Sequence, residues 1–200
     1  MNETRSSLLV RVRDPHDKES WREFHDLYRP ILQAYVRRAG LNDADADDVV
    51  QIIFERLVEL LQGFRLDHSL GRFRTWLWRL MHNAVVDWRR RQGRHQHRGL
   101  TGINDDEPST APEEPESWCD DLRRRVLEYS LSAVREKTQQ TTWAAFEGHI
   151  LNGLSSAEVA EKLGITVNQV NVNSSRVLAR VKDRCREYLE DTDNDVDIRL

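Results

Sequence analysis

The sequence predicts an all-α protein made of two small helical domains joined by a flexible acidic linker. Three observations predict it. Apolar residues recur at three- and four-residue steps along most of the chain, while strict polar-apolar alternation over strand lengths is missing. Only 9 Gly and 5 Pro interrupt 200 residues that are 38% hydrophobic and 32% charged, a balance that suits a soluble, helix-rich protein. Between residues 93 and 117 the chain turns to GRHQHRGLTGINDDEPSTAPEEPES, which has too few large apolar groups to fold on its own.

The first stripe is Trp21, Phe24, Leu27, Tyr28, Ile31, Leu32, Tyr35 and Val36, an amphipathic helix that Gly40 stops by accepting a positive φ. A second helix covers about residues 44–61, with Asp45, Asp47 and Asp48 in the first turn, where carboxylates complement the helix dipole. Gly63 ends it, and GFRLDHSLGRF forms a loop before a third helix from about Thr75 to Arg91. Beyond the linker, Leu122, Val126, Leu127, Tyr129, Leu131 and Val134 mark a fourth helix, and three more follow over about 140–152, 156–163 and 166–189. The predicted organisation is a domain over 1–94, a linker over 95–121, a second domain over 122–189 and an acidic tail over 190–200.

No apolar run is long enough to span a bilayer and the start lacks a signal-peptide pattern, so the expected compartment is the cytoplasm. Cys119 and Cys185 stand alone, with no CxxC and no histidine pair, and read as ordinary reduced thiols. The net charge of -4 is unusual for a nucleic-acid binder, but it is unevenly spread. Residues 1–98 carry 18 basic against 14 acidic groups, 99–121 none against 8, 122–189 11 against 7, and the last eleven residues 1 against 5. From Arg72 to Arg98 there are 8 arginines and only Asp87 as an acid.

Three segments carry chemistry. Residues 155–183 have a helix-turn-helix form: Ser156 as cap, Val159 and Leu163 inward, Ala160 small at the crossing, Gly164 in the turn, Ile165 plugging it and Thr166 capping the second helix. Val170, Val177 and Val181 share one face of that helix, while Asn168, Val172, Ser175 and Arg176 lie opposite, free to enter a major groove. Residues 72–94 interleave aromatics with arginines, a surface that stacks unpaired bases and holds the phosphate backbone. There Leu77 and Leu80 read as core, whereas Trp78 and Trp88 fit either the core or base stacking. The third segment, residues 45–61, lines up Asp48, Gln51 and Glu55 at i, i+3 and i+7. Because no Ser/His/Asp set, phosphate-cradling loop or HExxH accompanies these acids, they suit a protein-docking face better than catalysis, and nothing calls for a cofactor or a metal.

In this order the segments resemble the sigma factors of RNA polymerase, specifically the extracytoplasmic-function (ECF) group of the sigma-70 family, over about residues 20–92 and 125–189. Trp21, Glu23, Phe24, Leu27, Tyr28 and Tyr35 resemble that group's opening helix. The run from Asp45 to Phe54 is similar to its polymerase-binding helix, which implies core RNA polymerase (beta and beta-prime subunits) as partner through Asp45, Asp48, Gln51, Phe54 and Glu55. Arg72, Phe73, Arg74, Trp76, Trp78, Arg79, Asn83, Asp87, Trp88, Arg89, Arg90 and Arg91 resemble the element that melts and reads the minus-ten region of promoter DNA. In the longer loop before them, Phe64 joins Asn83 as a candidate for lining a pocket that captures an extruded base.

By the same resemblance the second domain reads the minus-thirty-five element through Thr166, Asn168, Gln169, Asn171, Val172, Ser175, Arg176 and Arg180. Asn171, Asn173 and Ser174 stand where that family often has basic residues, which leaves Arg176 and Arg180 to anchor phosphates. Asn168, Gln169 and Asn171 are candidates for bidentate contacts to adenine, each worth ~1–3 kcal/mol of discrimination. An anti-sigma factor is a further candidate partner. Two rivals remain: a free-standing helix-turn-helix regulator, which leaves the aromatic-arginine and Asp-rich helices without a purpose, and a helical nucleic-acid enzyme invoking His82, His95 and His97, which read more simply as part of a basic patch.

Overall fold

The computed structural model describes residues 8–62, 73–96 and 115–189. Every regular element among them is helical: α1 (Leu8–Arg11), α2 (Lys18–Arg38), α3 (Asp43–Gln62), α4 (Phe73–Gln96), α5 (Glu116–Glu136), α6 (Gln140–Phe146), a π-helical turn (Glu147–Leu151), α7 (Ser156–Leu163) and α8 (Val167–Leu189). The chain divides into two compact units between Leu122 and Arg123, within α5. Phe64, Arg72, linker residues 97–114 and the tail 190–200 lie outside the described residues.

The first unit is built on α2. Asp17 starts that helix by accepting the Ser20 backbone N–H at 3.0 Å and the Ser20 hydroxyl at 2.7 Å, and these bonds to the charged form hold its carboxyl below the ordinary value. Phe24, Leu27, Tyr28, Ile31, Leu32 and Val36 are all buried, as their spacing predicts. A short helix absent from the sequence reading, α1, packs here as well. Its Leu8 and Leu9, with Val12, are buried, and Arg11 reaches back to Glu23 at 2.9 Å.

Asn42 and Asp45 cap α3 reciprocally: Asn42 Nδ2 donates to Asp45 Oδ2 at 2.6 Å and the Asp45 N–H donates to Asn42 Oδ1 at 3.0 Å. The α3 face carrying Ala46, Val49, Val50, Ile53, Leu57 and Leu61 is buried. α4 presents Phe73, Leu77, Trp78, Met81, Ala84 and Val85 to the same core. Phe73 packs its ring edge-on near Phe24 and Tyr28, with centroids at 6.2 and 5.9 Å. Each buried Val, Leu, Ile, Phe or Met side chain among these contributes about 1.5–3 kcal/mol relative to exposure.

Part of the stretch expected to be linker is ordered. α5 begins at Glu116, and Trp118 is buried with its ring edge-on to Tyr35 at 6.4 Å, while Arg38 pairs with Asp121. Composition pointed the other way because the surrounding acids and prolines outweighed one tryptophan.

In the second unit, Ala145, Val159, Ala160 and Val170 form a small core to which Leu154, Leu163 and Ile165 add. Gly148 permits that closeness, since a Cβ there would sit 3.0 Å from a Val159 methyl. Gly164 turns the chain with φ +64, as a left-handed C-cap requires. The cap of α7 is Ser155 rather than Ser156. The Ser155 N–H and hydroxyl both donate to Glu158 Oε2, at 2.8 and 2.7 Å, and the Glu158 N–H returns to Ser155 Oγ at 3.2 Å.

Candidate nucleic-acid interface

Three exposed faces collect the residues singled out by sequence. On α3, Asp48, Gln51 and Glu55 are exposed, and Gln51 Nε2 donates to Glu55 Oε1 at 3.1 Å. Phe54 is half-buried, with its ring 4.9 Å from His25 and 6.3 Å from Phe24. Asp45 is a capping residue first, since both its carboxylate and its backbone N–H are engaged by Asn42. Val58, three residues after Glu55, continues this face as an exposed apolar side chain that the sequence reading passed over.

On α4 the helical phase sorts the aromatics. Arg79, Asn83 and Arg90 are exposed along one strip that begins at Trp76, a half-buried ring tilted against Phe73 at 5.5 Å. Trp78 sits on the other side, 3% exposed and stacked on His82 at 5.4 Å. Of its two readings, core or base stacking, the structure selects the core, because two helical positions turn a side chain by about 200°. Phe73 is corrected likewise from a DNA contact to a core residue. Trp88 and Arg74 are intermediate, and Arg91 is exposed. Arg89 donates to the Ala39 carbonyl, where its charge complements the C-terminal end of α2. Asp87 pairs with Arg56 of α3 at 3.6 Å, a tie within the fold.

On α8, Asn168, Gln169, Asn171, Val172, Ser175, Arg176 and Arg180 are exposed, and Val170, Val177 and Val181 are buried beneath them. Thr166 caps the helix with Gln169: the Thr166 N–H donates to Gln169 Oε1 at 2.8 Å and the Gln169 N–H donates to Thr166 Oγ1 at 3.2 Å. Asn171 Oδ1 accepts the Ser156 hydroxyl at 2.6 Å, tying α8 to α7. Ser174 is buried and donates to the Ala145 carbonyl at 3.2 Å, so it faces the core. Both lone pairs of the Gln169 amide oxygen are engaged by Thr166, which opposes a bidentate adenine contact from Gln169, whereas Asn171 Oδ1 keeps one lone pair for such a contact.

Burial raises the Cys185 thiol above its ordinary value, with Ser130 opposing, so it stays protonated at neutral pH and is no thiolate nucleophile. No group of metal-ligating side chains is found among the described residues, and no helix among them is long and apolar enough to cross a membrane.

A family model described as Sigma-70 region 2 matches residues 24–95, which run from Phe24 on α2 nearly to the end of α4. The chain is 27% identical over 169 residues to the RNA polymerase sigma factor YlaC of Bacillus subtilis, covering 83% of this chain and 94% of that one. The region 2 match and this relative support an RNA polymerase sigma factor of the ECF group. It is also 27% identical over 173 residues to the ECF RNA polymerase sigma factor SigE of Mycolicibacterium smegmatis, covering 86% of this chain and 64% of that protein's length. Among solved structures, CnrH in complex with the cytosolic domain of CnrY is similar at 20% identity, over 88% of this chain and 92% of that one, with a TM-score of 0.35. These matches support a sigma factor in transcription initiation, and the region 2 match takes in most of α2, all of α3 and nearly all of α4.

Proposed function

We propose that this sigma factor joins core RNA polymerase through the α3 face of Asp48, Gln51, Phe54, Glu55 and Val58, with the beta-prime and beta subunits as partners. It holds the opened minus-ten strand on the α4 strip of Trp76, Arg79, Asn83 and Arg90, and it reads the upstream promoter element as a region 4 domain through α8. A protein that covers the α3 face would compete with polymerase, which is how an anti-sigma partner would act.

The α4 strip carries the reading. Its single ring, amide and two guanidinium groups are what an unpaired strand needs, since bases stack on aromatic faces for roughly 1–3 kcal/mol each and arginines hold phosphates. Opening a duplex costs about 1.4 kcal/mol per stacked step, and a protein without a motor recovers that only by binding the separated strand. The deciding experiment follows open-complex formation by polymerase carrying Trp76→Ala. Slow opening on duplex promoters with recovery on a pre-melted minus-ten bubble is expected. Equal impairment on both templates would show that Trp76 serves the fold instead.

A further inference from the structure

The amides of Gln169 and Asn171 stand on opposite flanks of the exposed face formed by Asn168, Val172 and Ser175, and both are oriented by the fold itself. Gln169 is the firmer case. The Thr166 backbone N–H can only donate, so the atom it meets at 2.8 Å is the amide oxygen, and the Thr166 hydroxyl donates to the same atom at 3.1 Å. Nε2 is then the end left for a ligand. Asn171 is held less fully: the Ser156 hydroxyl donates to its Oδ1 at 2.6 Å, and that oxygen keeps a second lone pair. Among the described residues no side-chain hydrogen bond engages Asn168, which keeps both its donor and its acceptor.

We propose that Gln169 acts only as a hydrogen-bond donor and so selects guanine or thymine at one position of the upstream promoter element, against adenine and cytosine. The inference rests on the reading of α8 as the helix that enters the major groove. A bidentate contact to adenine uses the amide oxygen for N6–H and the amide nitrogen for N7, and here the oxygen is spent. Guanine offers acceptors at both N7 and O6, and thymine offers O4, so a lone donor suits either base. Cytosine presents N4–H in that groove, donor against donor. Val172, three residues beyond Gln169 on the helix and 36% exposed, gives thymine's methyl group an apolar contact.

An acidic variant inverts the outward chemistry while keeping the inward bond. In Gln169→Glu one carboxylate oxygen still receives Thr166, as in an ordinary Thr-x-x-Glu capping box, while the other presents an acceptor. Polymerase carrying the wild-type chain or the variant is used to select promoters from a library randomised only in the upstream element. The wild type is expected to enrich guanine or thymine at the position that the variant alters. Gln169→Glu should switch that position to cytosine or adenine by on the order of tenfold. Adenine or cytosine there with the wild type, or a motif unchanged by the variant, overturns the inference. A wild-type holoenzyme that forms normally and enriches no upstream sequence overturns the reading of α8 itself.

Discussion

At the scale of single residues, Trp76 and Trp78 separate function from stability within three positions of one helix. Trp78 is 3% exposed inside the first unit, so Trp78→Ala leaves a cavity there, and the expected loss is about 3–5 kcal/mol. Denaturant unfolding measures it. Trp76→Ala, at a half-buried ring, should cost much less. Similar losses from both would move Trp76 into the core. A second residue-scale expectation concerns Glu158, whose carboxyl the Ser155 hydrogen bonds hold below the ordinary value of 4.5. Since its folded pKa is depressed, the cap's contribution is complete above about pH 4.5 and disappears as pH falls through the folded value. Glu158→Gln keeps a capping box without the titrating group, so the loss of stability in that acid window should become shallower. An identical acid profile for the variant would place the titration elsewhere.

At the scale of helices, the α3 face makes the next prediction. Asp48 and Glu55 are exposed, so replacing both with lysine leaves the buried α3 face untouched and should weaken binding to core polymerase without lowering the unfolding midpoint. Affinity equal to the wild type would remove this face from the docking surface. The helices themselves were legible in the sequence because the Phe24 to Val36, Ala46 to Leu61 and Val170 to Val181 stripes repeat at helical spacing, and burial rewards that spacing. What escaped was set by tertiary contacts. α1 has only four residues, too few to show a period. The start of α5 was hidden by acidic, Pro-containing surroundings until Trp118 found Tyr35. The choice between Trp76 and Trp78 was present in helical phase, but interleaved aromatics and arginines read as one surface without it. The amide orientations of Gln169 and Asn171 depend on partners at Thr166 and Ser156, and composition does not encode which end of an amide is taken.

At the scale of the whole chain, electrostatics decides who holds the DNA. A net charge of -4, with eight acids and no basic residue between positions 99 and 121, gives the free protein little attraction for a polyanion. Specific binding should therefore require polymerase, and the isolated chain should bind promoter duplex only feebly at physiological salt. Within the holoenzyme the local arginines matter more than the sum. Arg79 and Arg90 are exposed on the α4 strip, and each phosphate they neutralise releases condensed counterions, worth about 0.9 in the slope of log affinity against log salt on duplex and about 0.7 on a single strand. Arg79→Ala with Arg90→Ala should thus flatten the salt dependence of promoter binding by roughly 1.4 on a pre-melted template, two single-strand contacts' worth. Affinity should fall most at low salt, where those contacts are strongest. Arg38, which is paired with Asp121, gives the control, because its replacement should leave the slope alone. A double variant that loses affinity equally at every salt concentration would mean that the two arginines shape the helix and never meet a phosphate.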